Sequence, residues 1–319
     1  MSFLDVLYFI IPSAIFYAAP LILAAIGAVF SERSGVVNIG VEGIMVIGAF
    51  VGIVFNLFTV DVFGDFTPWA SLLAALVVGA IFSLFLAIPA ISLRADQTVT
   101  GVALNLLGAA VALFSVKLIF DKGQTEFITE RFARFDIPGL ASIPVLGPMF
   151  FHNVYGTSIL AIVVAIVAWF VIYKTPFGLR LRAVGEHPMA ADTMGINVAR
   201  MRYIGVMISG ALAGVGGAVY SLTITNNFSH ATISGQGFMA IAAMIFGKWH
   251  PLGTMGAALF FGLAQALSIV GGSIPYVQDI PNVFLLILPY VLTIIALAGF
   301  IGKANAPKAS GIPYIKGQR

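Results

Sequence analysis

The length of its charge-free apolar stretches constrains this chain most. A bilayer core about 30 Å thick is crossed by about 20 helical residues, so an uncharged apolar stretch of that length can span it. Ending each stretch at a charged residue gives eight: 6–31, 43–60, 66–93, 97–116, 137–173, 203–247, 249–278 and 280–302. The 45 residues of 203–247 are too long for one span. We therefore expect eight main elements and at least one short or re-entrant half-helix, with 236–247 as the candidate.

Composition agrees with a protein built inside a membrane. The 319 residues are 60% hydrophobic and 9% charged, with a mean hydropathy of +1.04, whereas soluble domains are about 45–50% apolar and about 25% charged. The first apolar run is too long for a signal peptide and reads as a membrane helix. The sequence predicts an all-α, polytopic integral membrane helical bundle, one domain over 1–319, with about 8–10 transmembrane or half-membrane helices.

Charge asymmetry predicts the orientation. Lys and Arg are enriched in the interval 174–202 and in the tail 303–319, whereas acids outnumber bases in 121–136. Positive residues mark the cytoplasmic side, so 174–202 and the tail are expected inside and the loop 121–155 outside. Counting spans then puts the N-terminus outside and the C-terminus in the cytoplasm. The short run 236–247 would leave Lys248, Trp249 and His250 deep in the membrane or in a funnel open to the cytoplasm.

The basic loop is expected to contain a short helix. Pro188 suits a first helical turn and Gly195 a helix end. Between them, Met189/Thr193 and Ala190/Met194 are pairs at i,i+4 spacing that form a mildly apolar face. An apolar face outside the membrane, flanked by Arg, suits a partner protein. The alternative is a solvated loop that only obeys the positive-inside rule.

Two stretches carry a family resemblance. "TPFGLRLRAVGEHPMAADTMGINVARMR" (175–202) resembles the cytoplasmic coupling loop of ATP-binding-cassette (ABC) importer permeases of the branched-chain amino acid, ribose and nucleoside group. "SERSGVVNIGVEGIMVIGAF" (31–50) is similar, more narrowly, to permeases of nucleoside and simple-sugar importers. The segments 97–107 and 237–262 are similar to the family as well, so the likeness covers essentially the whole chain.

The resemblance implies an ABC importer permease that moves a nucleoside or related small sugar-like solute by alternating access. It implies three protein partners, namely a second permease subunit, a cytoplasmic ATP-binding subunit that holds ATP and Mg, and an external substrate-binding lipoprotein. The lipid bilayer is the remaining partner of the chain. The family loop often reads Gly-Glu-Asn-Pro, and here His187 replaces Asn. The residues expected to couple to the ATPase are Arg180, Arg182, Gly185, Glu186, His187, Pro188, Ala190, Ala191 and Gly195.

No catalytic or cofactor site is expected in the chain itself. Neither Gly247-Lys248 nor Gly302-Lys303 continues as a phosphate-binding G-x-x-x-x-G-K-[ST] loop, so ATP must be hydrolysed by another polypeptide and this chain is no enzyme. The absence of Cys excludes thiolate metal sites and thiol catalysis. The four His show no metal-binding spacing. The sequence also has no basic patch with interleaved aromatic residues, so no nucleic-acid partner is expected.

Polar residues inside the apolar runs are candidates for a solute path. The run 34–43 is rich in Gly and polar residues, which are tolerated at membrane depth only inside protein or beside a watery cavity. The candidates are Asn38, Glu42, Gln97, Thr100 and Asn105. Two alternatives stay open, namely that Glu42 pairs with Arg33 at the membrane edge and that the amides only bond neighbouring helices.

Asn226, Asn227 and His230 are candidates for a gate or for docking of the external receptor. A second interpretation of the whole chain is an ion- or proton-coupled secondary transporter, for which Glu42 and Asp96 are the available carboxylates. A membrane scaffold fits poorly, because polar breaks would weaken its packing without a gain. The identity of the solute stays open, since a sugar fits the residues nearly as well as a nucleoside. The choice between homodimer and heterodimer also stays open.

Overall fold

A computed structural model describes residues 3–270 and 306–317, together with the isolated positions 284, 287, 291 and 294. Within these residues, six helical stretches are long and apolar enough to cross a membrane: Leu4–Arg33, Val41–Ser92, Gln97–Phe120, Gly156–Lys174, Val198–Thr225 and Pro251–Ile269. The 52-residue stretch turns at a 3-10 segment, Gly64–Phe66, and so supplies two crossings. The chain is a multi-pass membrane protein, as predicted. The predicted span 281–302 lies outside the described ranges.

The α-helices mostly follow the predicted apolar runs, with two further helices inside the basic loop. They are α1 (Phe3–Arg33), α2 (Val41–Phe63), α3 (Thr67–Phe82), α4 (Leu84–Ala87), α5 (Gln97–Phe120), α6 (Gly156–Lys174), α7 (Pro176–Glu186), α8 (Pro188–Thr193), α9 (Val198–Tyr220), α10 (Gln236–Phe246) and α11 (Pro251–Val270). Three π-helical turns, Ile88–Ser92, Gly147–Phe151 and Ser221–Thr225, join them. The strands β1 (Arg134–Phe135) and β2 (Val154–Tyr155) pair antiparallel in the segment between α5 and α6.

Helices α1 and α9 lie at the centre of the bundle, and α2, α3 and α11 pack around them. Small residues let the backbones approach closely, as helix pairs in membranes require. A Cβ atom added to Gly48 of α2 would collide with the backbone of Gly214 on α9, and one added to Gly217 would collide with the carbonyl of Met45. These glycines therefore allow α2 and α9 to pack in close contact.

The bundle has two opposite ends. At one, which we call the α8 end, lie residues 32–37, 174–202, 248–250 and 306–317, joined by contacts among Arg33, Gly185 and Ala309. At the other, which we call the β end, the segment 121–136 pairs with 226–229, and the backbone N–H of Thr125 donates to the carbonyl of Phe228 at 2.9 Å. This grouping of loops is the one that the predicted span order requires.

The loop 174–202 contains more helix than the short segment that was predicted. Before Pro188 it forms α7, which buries Leu181 and Val184 and exposes Arg180. Helix α9 begins at Val198, so Arg200 and Arg202 belong to its first turns rather than to the loop. Arg202 tolerates this position because the C-terminal segment covers it.

Candidate functional site

The α8 end is built from local signals that the sequence carries. The Thr175 side chain accepts a hydrogen bond from the Gly178 N–H at 3.3 Å and caps α7, with Pro176 in its first turn. Pro188 opens α8, and Gly195 follows it with φ of +80°, a left-handed conformation that suits glycine. The short Pro-to-Gly helix predicted in this loop is present.

Helix α8 has one anchored side and one free side. Ala191 is 4% exposed and faces the bundle, whereas Met189 is 50% and Met194 is 81% exposed. Ala190 and Thr193 are exposed beside them. The predicted apolar face is therefore open to solvent, and no described residue covers it. Ala191, a predicted coupling residue, packs α8 against its own chain.

The remaining coupling candidates divide in the same way. Gly185 is buried, and a Cβ there would collide with the carbonyl of Arg33. The side chain of Arg182 lies 4.8 Å over the ring of Tyr173. By contrast Arg180 and His187 are exposed, and Glu186 is partly so. The exposed members share the free surface with α8, while the others fasten α7 to the end of α1 and to α6.

A polar cluster ties the turn after α10 to the end of α1. The indole N–H of Trp249 donates to the Glu32 carboxylate at 2.5 Å, and the Arg33 guanidinium donates to the Trp249 carbonyl at 2.9 Å and the Tyr173 hydroxyl at 3.1 Å. Lys248 and Trp249 both have φ near +55°. The Lys248–His250 turn thus lies at the α8 end, beside the end of α1.

His250 belongs to the same cluster, and its ring lies 4.8 Å from that of Tyr173. Burial lowers the pKa of His250, and the positive charge of Arg33 lowers it further. Both effects favour the neutral imidazole. His250 therefore adds no positive charge to that of Arg33 near neutral pH.

The half-helix is present as α10, eleven residues long, and Glu42 holds its N-terminus. The Glu42 carboxylate accepts the backbone N–H of Gly235 at 2.6 Å and that of Gly237 at 2.5 Å. Eleven residues extend about 16 Å, so this N-terminus lies near mid-membrane depth, while the other end of α10 reaches the α8 end. The alternative pairing of Glu42 with Arg33 was wrong, because the half-helix takes the carboxylate as its cap.

Three of the other path candidates hold the non-helical segment between α1 and α2. The Gln97 side-chain oxygen accepts the Val37 N–H at 2.8 Å, and Asn105 accepts the Gly43 N–H at 2.8 Å while donating to the Ile39 carbonyl at 3.0 Å. The Asn38 amide donates to the Ser209 hydroxyl at 2.9 Å. Backbone groups that a helix would satisfy internally are satisfied here by these side chains.

Thr100 does not join this arrangement. Its hydroxyl donates to the Asp96 carbonyl of its own helix at 2.7 Å. Asp96 itself caps α5 and accepts the N–H groups of Thr98 and Val99. The Asp96 carboxylate, considered above for ion coupling, thus has a local structural partner.

The three candidates at the β end lie in the turn after α9. Asn226 has φ of +58°, and its carbonyl accepts the Ile128 N–H at 3.0 Å. The Asn227 carbonyl accepts the Thr225 hydroxyl at 2.8 Å, and His230 is exposed. The Asn226–Asn227 turn is thus fixed to the segment 124–128. In the described ranges, no group of three or more His, Cys, Asp or Glu could hold a metal ion.

The crossing helices, the mid-depth half-helix and the solvent-facing helix at one end define a membrane transport permease. The chain belongs to the family described as "Branched-chain amino acid transport system / permease component", whose model matches residues 10–297. It is thus an ABC transporter permease, a transport subunit rather than an enzyme, and nothing in the comparisons points to a proton-coupled transporter.

Relatives and a solved structure agree with this family. The chain is 63% identical to the guanosine ABC transporter permease NupQ of Bacillus subtilis, over 100% of both chains. It is 52% identical to the nucleoside ABC transporter permease NupC of Lactococcus lactis, over 99% of both. A structure described as an inward-facing ABC transporter of metal-chelate type shares the fold, with a TM-score of 0.50 and 15% identity over 91% of this chain and 85% of that one.

The same two organisms each have a second, more distant relative. NupP of Bacillus subtilis, also a guanosine ABC transporter permease, is 28% identical over 91% of this chain and 83% of its own length. NupB of Lactococcus lactis, also a nucleoside ABC transporter permease, is 27% identical over 94% of this chain and 84% of its own length. Each organism thus has two unequal permeases with the same named solute.

Proposed function

We propose that this chain is a permease subunit of an ABC importer for nucleosides, guanosine among them. The observation that carries the proposal is its 63% identity to the guanosine permease NupQ over the full length of both chains. The path candidates Gln97 and Asn105 bond protein backbone, and Asn38 bonds the Ser209 hydroxyl, so these contacts favour no solute. Solute choice is expected to depend largely on an external receptor.

We infer that a cytoplasmic ATPase docks on the exposed Met189 and Met194 of α8. Exposed apolar side chains at the centre of a polar surface are typical of docking sites. Movement of α8 and α7 would reach the bundle by two contacts, Gly185 against Arg33 and Arg182 on Tyr173. From Arg33 it continues to Trp249 and so to α10. ATP-driven motion would then shift the half-helix that lies near mid-depth and open the path alternately to each side.

The proposed orientation has the α8 end in the cytoplasm, with the N-terminus outside and the C-terminus inside. Basic residues outnumber acidic ones at this end, which also includes the turn 93–96: Arg33, Arg94, Lys174, Arg180, Arg182, Arg200, Arg202, Lys248, Lys308 and Lys316 against Glu32, Asp96, Glu186 and Asp192. Acidic residues outnumber basic ones at the β end, which also includes the start of α1, the turn between α2 and α3 and the end of α5: Asp5, Asp61, Asp65, Asp121, Glu126, Glu130 and Asp136 against Lys117, Lys122, Arg131 and Arg134. This distribution supports the orientation through the positive-inside rule. The β end, including Asn226, Asn227 and His230, would then meet the receptor lipoprotein.

We also propose a heterodimer with a second, distinct permease. The two unequal permeases in each of two organisms support this arrangement. In a heterodimer the exposed apolar side chains of α5, among them Val99, Leu106 and Phe114, would be divided between lipid and the partner.

Uptake of radiolabelled guanosine tests the function. The chain, a second permease, an ATPase and a receptor lipoprotein are expressed in cells that lack nucleoside uptake, and each component is omitted in turn. We expect uptake to require all four, to be inhibited by unlabelled nucleosides and not by ribose or glucose, and to survive a protonophore while ATP is maintained. Uptake that continues without the ATPase, or that the protonophore abolishes, would overturn the proposal.

A further inference from the structure

The C-terminal segment 306–317 contacts three different elements of the α8 end. The Ala309 N–H donates to the Gly185 carbonyl at the end of α7, at 2.9 Å. The Ile312 carbonyl accepts a hydrogen bond from the Arg202 guanidinium of α9 at 3.0 Å. The Tyr314 side chain lines the same cavity as Asp192 of α8. We call this segment the C-terminal strap.

The strap covers a buried positive charge. Arg202 is 1% exposed, and its Nε and Nη2 atoms have no hydrogen-bond partner among the described residues. A buried charge needs compensation for its lost hydration. Here the Ile312 carbonyl supplies part of it by accepting a hydrogen bond from Arg202. The strap is therefore a built contact around Arg202 and not a loosely lying tail.

The contact between the strap and α8 is made by a protonated phenol. Desolvation raises the pKa of Tyr314, and the neighbouring Asp192 carboxylate raises it further. Tyr314 therefore keeps its hydroxyl proton at neutral pH. This contact places the strap beside the helix that carries Met189 and Met194.

The strap is a second link between α8 and α9. The direct link is residues 194–197, which include Gly195 with φ of +80° and an exposed Asn197. A helix joined to its neighbour by one such linker can rotate about it, and hinges form at a few positions of this kind. With Tyr314 beside Asp192 of α8 and Ile312 bonded to Arg202 of α9, rotation of α8 about Gly195 would pull the strap away from one of these two helices.

We propose that the C-terminal strap makes α8, the end of α7 and α9 move as one body, with Tyr314 and Arg202 as its positioning residues. The inference rests on the proposed function, in which an ATPase docks on α8. It assigns a role to a segment that neither the coupling loop nor the solute path includes. Movement of α8 by the ATPase would be passed to α9 through the strap. Without the strap, α8 would rotate and α9 would not follow it.

The test compares solute imported with ATP hydrolysed in vesicles that hold the complete importer. Tyr314→Phe removes the hydroxyl that lies near Asp192 and keeps the ring, and we expect about a threefold fall in guanosine imported per ATP, with the ATPase still bound. Lys308→Ala is the matched control, because Lys308 is an exposed strap residue. A second variant replaces 306–317 by a Gly-Ser chain of equal length, and it is expected to uncouple transport more strongly.

If the amount of guanosine imported per ATP were unchanged in both variants, the proposed role of the strap would be wrong. Loss of the ATPase from the replaced variant, with coupling intact in Tyr314→Phe, would overturn it too, since the strap would then be a docking surface. If the wild-type importer takes up no nucleoside, the proposed function fails instead. The role of the strap is then tested by a measurement that needs no solute.

Crosslinking supplies that measurement, because the chain has no Cys of its own. Asp192→Cys and Tyr314→Cys are introduced together and joined by a short, reducible thiol crosslinker in the assembled complex. We expect an equal yield with and without ATP and vanadate, and a crosslinked importer that still hydrolyses ATP at the uncrosslinked rate. A yield that falls in the vanadate-trapped state would overturn the inference, because the strap would then release during the cycle.

Discussion

The segment 34–43 and the loop 174–197 both interrupt apolar helices with glycine and polar residues, yet their surroundings differ. In the first, Glu42 and Asn105 bind backbone groups of their own chain. In the second, Met189 and Met194 contact no described residue that would cover them. Membrane depth explains the difference, because an irregular backbone there must be satisfied inside the protein. A loop in water can keep an apolar surface for a partner.

The comparison predicts that the two regions respond to opposite tests. Substitutions in 34–43 and its partners should lower the stability of the permease itself. Substitutions on the free side of α8 should leave that stability unchanged and weaken assembly. A variant that did both would break the distinction.

The largest effect is expected for Glu42→Ala. It removes two charge-assisted hydrogen bonds to Gly235 and Gly237, each worth about 1.5–3 kcal/mol, so the free energy of unfolding should fall by about 3 kcal/mol or more. Thermal unfolding of the purified permease in detergent measures this. Asp61→Asn, at an exposed carboxylate of the β end, is the control. Equal unfolding temperatures for both variants would show that Glu42 does not hold α10.

Asn105→Leu should have the next largest effect. The Gly43 N–H and the Ile39 carbonyl would lose their partner at membrane depth, which costs about 1–3 kcal/mol for a buried group left unsatisfied. Thr100→Val is matched to it, since Thr100 bonds only a carbonyl of its own helix, and its unfolding temperature should hardly change. If Asn105 instead contacted solute, Asn105→Leu would raise the KM for uptake and leave the unfolding temperature unchanged.

These partners mark where sequence reasoning reached its limit. The apolar runs predicted the spans and the half-helix, because crossing a bilayer fixes the length and composition of a helix. Glu42 and its partner Gly235 are 193 residues apart, and no local pattern joins them. Helix α7 was missed because it lies outside the membrane, although Phe177, Leu181 and Val184 have the spacing of a helix with one apolar face.

Met194→Glu tests the other side of the comparison. Met194 is 81% exposed, so a charge there should leave the unfolding temperature of the isolated permease unchanged. Binding of the ATPase should weaken by about tenfold, the cost of a charge placed in an apolar contact. Co-purification and titration of the ATPase measure this, with Phe127→Glu at the β end as the control. Equal ATPase binding by both variants would remove α8 as the docking helix.

The smallest effect is expected for Gly195→Ala, which separates backbone strain from packing. A Cβ at Gly195 meets no atom within 4 Å, so only the φ of +80° opposes it. A left-handed residue other than glycine costs about 1–2 kcal/mol, and this strain should loosen the end of α8 and slightly reduce coupled uptake.

Gly195→Asn provides the sharper comparison, because asparagine tolerates this conformation better than alanine. The two variants add side chains to the same open space, so packing against neighbours cannot separate them. If uptake per ATP falls in the Ala variant and is largely retained in the Asn variant, the left-handed turn at the end of α8 is the feature that coupling needs. Equal losses in both would instead mean that a partner contacts the Gly195 backbone closely, and the free surface of α8 would then extend beyond Met194.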